Sequence, residues 1–411
     1  MLDQSITKKS IKSLGVKTWR KFYPEQKYND FLADVFNKIE AGISDDGYSF
    51  QPFIRKEYKG KFGYEPALPE DDLVIKKLND SVRRLFKVHS SDRHAIIRQT
   101  ISLSEDSQPM TVARVDIKDF YESIDRKEII KYVTEEWLLS HFNRMVLKEW
   151  DKQLDSQGVT GLPRGMSLSA TLSEIKIRVF DREVRRNSGI YYYARYVDDI
   201  IVFYTGDRFE LENFLTDTLS YTASDLSFNE VKSDFFSLNK GHFSSLERID
   251  YLGYEIVIEP SSEGLESKRK IRVLISDKKI KKIKNRLRRA FSAYNRDRRF
   301  VLLISRLRFL SGNQFIIGDI ERTKLKSGIY YNYPLINDFS QLNELDRFYK
   351  KLIFSKNGPA AKALRRIKNY QGNPNNSRVK SIESISFGFG FHNRIINNFS
   401  SDVSKKIRRC W

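Results

Sequence analysis

Apolar residues spaced by three and four, Tyr28, Phe31, Leu32, Val35, Phe36 and Ile39, predict an amphipathic helix early in the chain. A Gly- and aromatic-rich loop follows, then a longer helix over Leu73–Val88 with Leu73, Val74, Leu78, Val82, Leu85 and Phe86 as its apolar positions. Asp92–Leu103 continues as a helix presenting Arg93 and Arg98, and Ser104–Gln108 turns the chain into an apolar strand that starts at Thr111. Asp125-Arg-Lys-Glu128 then has the form of a capping box opening a helix through Trp137 and Leu138, which makes Asp125 a cap rather than a catalytic group. Gly158–Gly165 reads as a loop, and from Ser167 onward Leu168, Leu172, Ile175 and Val179 repeat on one helical face. Two segments rich in aromatic and β-branched residues, Tyr191–Tyr196 and Ile200–Tyr204, predict paired strands around a turn at Val197-Asp198-Asp199.

Phe209–Leu219 is a further amphipathic helix, and Ile249–Ile258 reads as strand, turn and strand around Leu252-Gly253-Tyr254. From Asp277 the pattern turns helical and basic, with Ile280, Ile283, Leu287 and Phe291 on one face. A second helix over Arg299–Leu310 meets a Gly/Asn stop at Ser311-Gly312-Asn313. Leu342–Phe354 and Ala360–Lys368 are helical, and the Asn- and Gly-containing stretch from Gln371 to Ser377 reads as a flexible connector. No internal repeat or low-complexity tract is evident.

Charge divides this pattern in two. Residues 265–411 hold 35 Lys and Arg against 10 Asp and Glu, a balance of +25, whereas the whole chain carries +20 and its first 264 residues −5. Such a basic segment, with tyrosines and phenylalanines interleaved, is the footprint expected for a polyanion, and nucleic acid is the usual one. The alternative is a solvated basic surface without a dedicated partner. No apolar run approaches the roughly 20 residues of a membrane span, and Met1–Gly15 lacks the apolar stretch of a signal peptide. A cytoplasmic location is therefore expected, with no membrane partner. The one cysteine, Cys410, can form no intramolecular disulfide, which agrees with a reducing compartment. The five histidines are scattered and offer no zinc site.

Chemistry concentrates where apolar strands deliver carboxylates. Asp198-Asp199 alone fits either an Asx-type turn open to solvent or a metal site. Asp116, which ends the apolar run Thr111–Val115, supplies a second acidic strand, and two such strands side by side would make a cradle for a divalent cation.

These residues resemble those of reverse transcriptases. Asp116-Ile-Lys-Asp-Phe-Tyr121 is similar to motif A of that family, Gly161-Leu-Pro-Arg-Gly165-Met-Ser-Leu-Ser169 to motif B, and Tyr196-Val-Asp-Asp199 to motif C. Asn229-Glu-Val-Lys232 and Tyr251-Leu-Gly253-Tyr254 resemble motifs D and E. The order and spacing fit, and the match covers the palm and adjoining fingers. The resemblance implies an α+β, right-hand polymerase. It would have an N-terminal helical extension (1–70), fingers and palm (71–264), a basic helical thumb (265–320) and a C-terminal helical extension (321–411).

The implied activity is RNA-directed DNA synthesis by nucleotidyl transfer with two Mg²⁺ ions, Mn²⁺ serving as a substitute. Asp116 and Asp198 would be the principal metal ligands, the Ile117 carbonyl a further one, and Asp199 an occasional or outer one. Lys232 would face the leaving pyrophosphate. Arg93 and Arg98 are candidates for gripping the triphosphate, with the choice between them open. Tyr121 would lie under the sugar of the incoming nucleotide. Gly161 and Gly165 would let backbone approach the nascent pair. Arg164 stands where the family commonly has glutamine, which puts the usual nucleotide contact in doubt and suggests a phosphate contact instead. Leu252, Gly253 and Tyr254 would form the primer grip, and Lys281, Lys284 and Arg288 would hold nucleic acid from the thumb.

Phe120-Tyr-Glu-Ser-Ile124 and Arg306-Leu-Arg-Phe-Leu-Ser-Gly-Asn313 resemble bacterial abortive-infection and defence-associated reverse transcriptases more than retroviral ones. That implies antiphage defence, an RNA template that is a dedicated noncoding RNA, deoxynucleoside triphosphates as substrates, a DNA product, and protein priming. A partner protein or a homo-oligomer is compatible with it. Two alternatives are an RNA-dependent RNA polymerase and a non-catalytic RNA-binding protein on a polymerase palm.

Overall fold

The computed structural model describes residues 2–19, 25–44, 47–58, 60–238, 246–259, 268–317, 324–368 and 377–411. The chain forms two compact units, Met1–Asp92 with Gln108–Asn239, and Arg93–Ser107 with Lys240–Trp411. The predicted connector from Gln371 to Asn376 lies outside the described residues, as does a short stretch at either end of the predicted thumb.

The first unit is built on a four-stranded antiparallel sheet in the order Ile190–Tyr196, Asp199–Tyr204, Met110–Asp116, Asp234–Leu238. Its central strands are apolar on both sides, and Val112, Ala113, Val115 and Ile200 through Phe203 are wholly buried. Helices Arg178–Arg186 and Arg208–Thr222 pack on the sheet. The helix opening at Ser167 ends at Lys176, and the next begins at Arg178. This break shifts the apolar face: Val179 is 40% exposed, and Phe180 and Val184 take the buried positions. Asp125 caps the helix Arg126–Glu135 through Lys127 N and Glu128 N, as its sequence predicts. The reciprocal half of the box does not form. Asp125 N donates to Asp225 Oδ2 (2.7 Å), and Glu128 instead accepts from Lys176.

Residues 2–70 are part of this unit rather than an appendage. Helices Lys8–Trp19 and Glu25–Gly42 lie against Pro69–Leu85, and Tyr48 Oη donates to Asp71 Oδ1 (2.8 Å). The segment expected to be loop holds two hairpins, Ile43–Ser44 with Gly47–Tyr48 and Ile54–Tyr58 with Lys61–Glu65. Half of the strand residues of the second are charged, so hydrophobic alternation gave no strand signal.

The second unit contains an antiparallel sheet ordered Ile271–Ile275, Tyr254–Ile258, Glu247–Tyr251, with helix Arg93–Ser104 against its first strand. Helix Asp277–Asp297 opens at the predicted residue, and Phe300–Ser311, Ser340–Phe354 and Gly358–Lys368 follow the predicted spans to within two residues. Leu287, Phe291, Leu303, Leu307 and Tyr349 are among their buried residues. Gly312 ends its helix in extended backbone, not in a left-handed stop. Asn313 begins a strand, wholly buried, and its side chain bonds Ile395 O (3.1 Å) and Tyr330 N (2.9 Å).

Candidate active site

The sheet register sets Asp116 directly opposite Asp199, and Asp199 opposite Tyr196 across the hairpin, leaving Val197 and Asp198 as the turn. Ile117 N donates to Asp198 O (3.0 Å), and Asn229 N to Asp116 O (2.7 Å), which ties the end of the acidic strand to both neighbours. Val197 holds φ +62°, a conformation costly for a β-branched residue. Arg195 fixes it. This guanidinium is 6% exposed, forks to Glu174 (2.7 and 3.0 Å) and Asp181 (2.8 and 2.9 Å), and donates to Val197 O (2.9 Å).

Burial and the neighbouring Asp116 charge raise the Asp198 pKa. Burial and Asp198 push Asp199 up to about 6. Two cations moderate this crowding. Lys232 Nζ is 2.8 Å from Asp116 Oδ1, and Arg114, two residues before Asp116 on the same strand face, reaches Asp199 Oδ1 at 3.4 Å. Arg114 also donates to Lys232 O. Among the described residues no three carboxylate, histidine or cysteine groups converge on one point. The donor set nevertheless fits a hard cation, because mutually repelling carboxylates with raised pKa values gain from one. Asp116 and Asp198 are the residues that would hold it, in competition with Lys232.

Tyr121 is half-buried beside Phe120, with ring centroids 5.6 Å apart, and burial raises its pKa. Arg164 lies over the Tyr121 ring (5.3 Å) and forks to Glu122, with Nε to Oε1 at 2.5 Å and Nη2 to Oε2 at 2.9 Å. The guanidinium is thus engaged by a carboxylate in this structure. Gly161 and Gly165 also have a closer duty than expected. A Cβ at Gly161 would fall onto Glu122 O, and one at Gly165 would stand 2.8 Å from Tyr64 O, so the chain's own backbone occupies both approaches. Tyr64 N donates to Arg164 O (2.7 Å), and buried Arg126 donates to Gly161 O (2.9 Å).

In the second unit, Leu252 and Gly253 form the hairpin turn with φ +47° and +83°, both left-handed as a tight hairpin of right-twisted strands favours. Arg93 donates to Leu252 O through Nε (2.9 Å) and Nη2 (2.6 Å), and to Asn332 O through Nη1 (2.8 Å). It also lies over Tyr254 (5.0 Å). In this structure Arg93 pins the turn. Arg98 is exposed on the same helix. Of the predicted thumb cations, Lys281 and Arg288 are exposed, whereas Lys284 pairs with Glu344 (2.5 Å) and lies 5.6 Å from the Phe348 ring.

Residues 72–256 match the family described as reverse transcriptase (RNA-dependent DNA polymerase). Over that span the chain is similar to this family, and its mixed helix-and-sheet architecture is consistent with an α+β polymerase palm. A comparison with curated proteins finds no match. Among the described residues no helix is long and apolar enough to cross a membrane.

Sequence reasoning missed Arg195, Arg114, Arg126 and Glu122. Arg195, Arg114 and Glu122 are charged residues inside or beside an apolar run, and that interruption is the signal the sequence carried; Arg126 sits in the charged run Asp125–Glu128 and gave none.

Proposed function

We propose that this chain is an RNA-directed DNA polymerase that joins deoxynucleotides by two-metal nucleotidyl transfer. The observation that carries the reading is the register placing Asp116 opposite Asp199, with Asp198 at the adjoining tip, inside the span that matches the reverse transcriptase family. Asp116, Asp198 and the Ile117 carbonyl hold the ions, with Asp199 behind them. Mg²⁺ bound there, or Mn²⁺ in its place, would supply the charge that activates a primer 3′-hydroxyl and neutralises the triphosphate. Lys232 Nζ, beside this cluster, serves as the proton donor to the departing pyrophosphate. Tyr121, backed by Arg164, excludes a 2′-hydroxyl. Leu252, Gly253 and Tyr254 steady the primer, while Lys281 and Arg288 contact phosphates.

The resemblance of residues 120–124 and 306–313 to defence-associated enzymes supports an antiphage role with a dedicated noncoding RNA as template or partner. The test is to supply purified protein with Mg²⁺ and deoxynucleotides, and to sequence both the product and the nucleic acid that copurifies. We expect DNA complementary to a copurifying RNA, and none from Asp116→Asn or Asp198→Asn proteins with unchanged melting temperatures. Full incorporation by both variants would remove these residues from the mechanism.

A further inference from the structure

The second unit contains a cavity of about 540 Å³ that none of the polymerase motifs lines. Lys279, Lys282, Arg286 and Arg408 contribute to its wall, and among the described residues no Asp or Glu does. Four cations facing one space repel one another and call for an anion. Burial, with the charge of Arg289, pulls the Arg286 pKa below that of a free guanidinium, a shift that a bound anion would reverse. Arg286 also sits 5.3 Å from the Trp411 ring centroid, which holds the indole at the cavity wall.

A second observation narrows the ligand. Gln314, on the strand Asn313–Ile317, lines the same cavity, is 8% exposed, and its side-chain Oε1 has no hydrogen-bond partner among the described residues. An orphaned acceptor needs an N–H or O–H donor, which a fully ionised phosphate lacks. Trp411 and Tyr333, both in the lining, offer aromatic surface of the kind on which bases stack. A ligand with phosphate for the cations, a flat ring for the aromatics and an exocyclic amine for Gln314 is a nucleotide. The volume lies within the usual range for small-ligand sites.

We propose that this cavity binds a single phosphorylated nucleotide, either free or as the phosphorylated end of a nucleic-acid strand. The site is separate from the carboxylates of the first unit and does not depend on the polymerase reading.

The test follows Trp411 fluorescence in the full chain during titration with ATP, with a short 5′-phosphorylated single-stranded oligonucleotide, and with its 5′-hydroxyl counterpart. The expected result is saturable quenching by a phosphorylated probe that disappears in Trp411→Phe and persists in Asp198→Asn. Lys282→Gln, an exposed change that leaves packing intact, and Arg286→Gln should each weaken binding by about tenfold. Gln314→Leu should weaken the nucleotide while leaving competition by inorganic phosphate unchanged. Equal binding of ATP and the phosphorylated strand identifies a free nucleotide, and binding of that strand alone identifies a strand end. Absence of saturable quenching by all three probes would overturn the proposal. So would affinity unaltered in both Lys282→Gln and Arg286→Gln, or quenching lost in Asp198→Asn.

Discussion

Lys232 Nζ stands 2.8 Å from Asp116 Oδ1, so the lysine expected at the pyrophosphate end of the reaction is, in this structure, the counter-charge of the Asp116 carboxylate. Asp116 is 5% exposed and its charge acts on Asp198, and a carboxylate so placed needs a compensating cation. Lys232 supplies it while its own side chain stays 55% exposed, free to exchange places with a divalent ion. Lys232→Gln should therefore lower the melting temperature in chelator and enlarge the rise produced by Mg²⁺, because one competitor for Asp116 is gone. Incorporation should fall roughly 10²- to 10⁴-fold if its proton is used. Thermal melts with and without Mg²⁺, beside single-turnover rates, separate the two effects. An Mg²⁺ response equal to wild type would break the proposed exchange.

Arg195 has a comparable structural burden at the hairpin. Replacing it by Met leaves Glu174 and Asp181 facing each other with their shared cation removed, and it frees the carbonyl of strained Val197. A loss of about 3–5 kcal/mol is expected in urea unfolding, the range for breaking a buried ion pair. Val197→Gly, by contrast, should change stability by no more than about 1 kcal/mol and in the favourable direction, since glycine adopts positive φ without steric cost. A Val197→Gly protein as unstable as Arg195→Met would show that packing, not backbone strain, governs the turn.

In the second unit, Arg93→Lys should keep the charge and lose the fork that grips Leu252 O. The expected cost is about 1–3 kcal/mol, because the carbonyl of a left-handed leucine loses its donors. Hydrogen exchange at Tyr251–Tyr254 should accelerate in the variant, and unaltered exchange there would deny Arg93 this anchoring role.

The acidic strands were readable because each announces itself locally: β-branched and aromatic runs end in aspartates, and Asp125 sits one residue before a helical period. What escaped detection depends on distant partners. Arg93 is fixed by residues 159 and 239 positions away, and Arg164 by Glu122, 42 positions back. Nothing in the local pattern distinguishes such arginines from solvated ones or from phosphate ligands. Val179 was misplaced for another reason: the helical period was continued through Ile177, where the chain breaks and restarts. The hairpin of Ile54–Tyr58 with Lys61–Glu65 was missed because its pairing is set by backbone bonds, and half of its strand residues are charged.

Tyr121 gives the reading its sharpest consequence. It lies five residues after Asp116, where the resemblance places an aromatic ring under the incoming sugar, and a ring there leaves no room for a 2′-hydroxyl. Exclusion requires stiffness as well as bulk. Arg164 above the ring, Glu122 holding Arg164, and Phe120 alongside supply that stiffness. Tyr121→Ala should raise ribonucleotide use relative to deoxyribonucleotide use by about tenfold or more, if the avoided clash is worth ~1.4 kcal/mol. Glu122→Gln, which keeps the ring and weakens its clamp, should move the ratio in the same direction by a smaller factor. A purely packing role for Tyr121 predicts something else: a lower melting temperature, with both nucleotides slowed alike. Single-nucleotide incorporation by wild type and the two variants distinguishes these outcomes, and a wild-type enzyme that accepts ribonucleotides equally well would end the DNA polymerase reading.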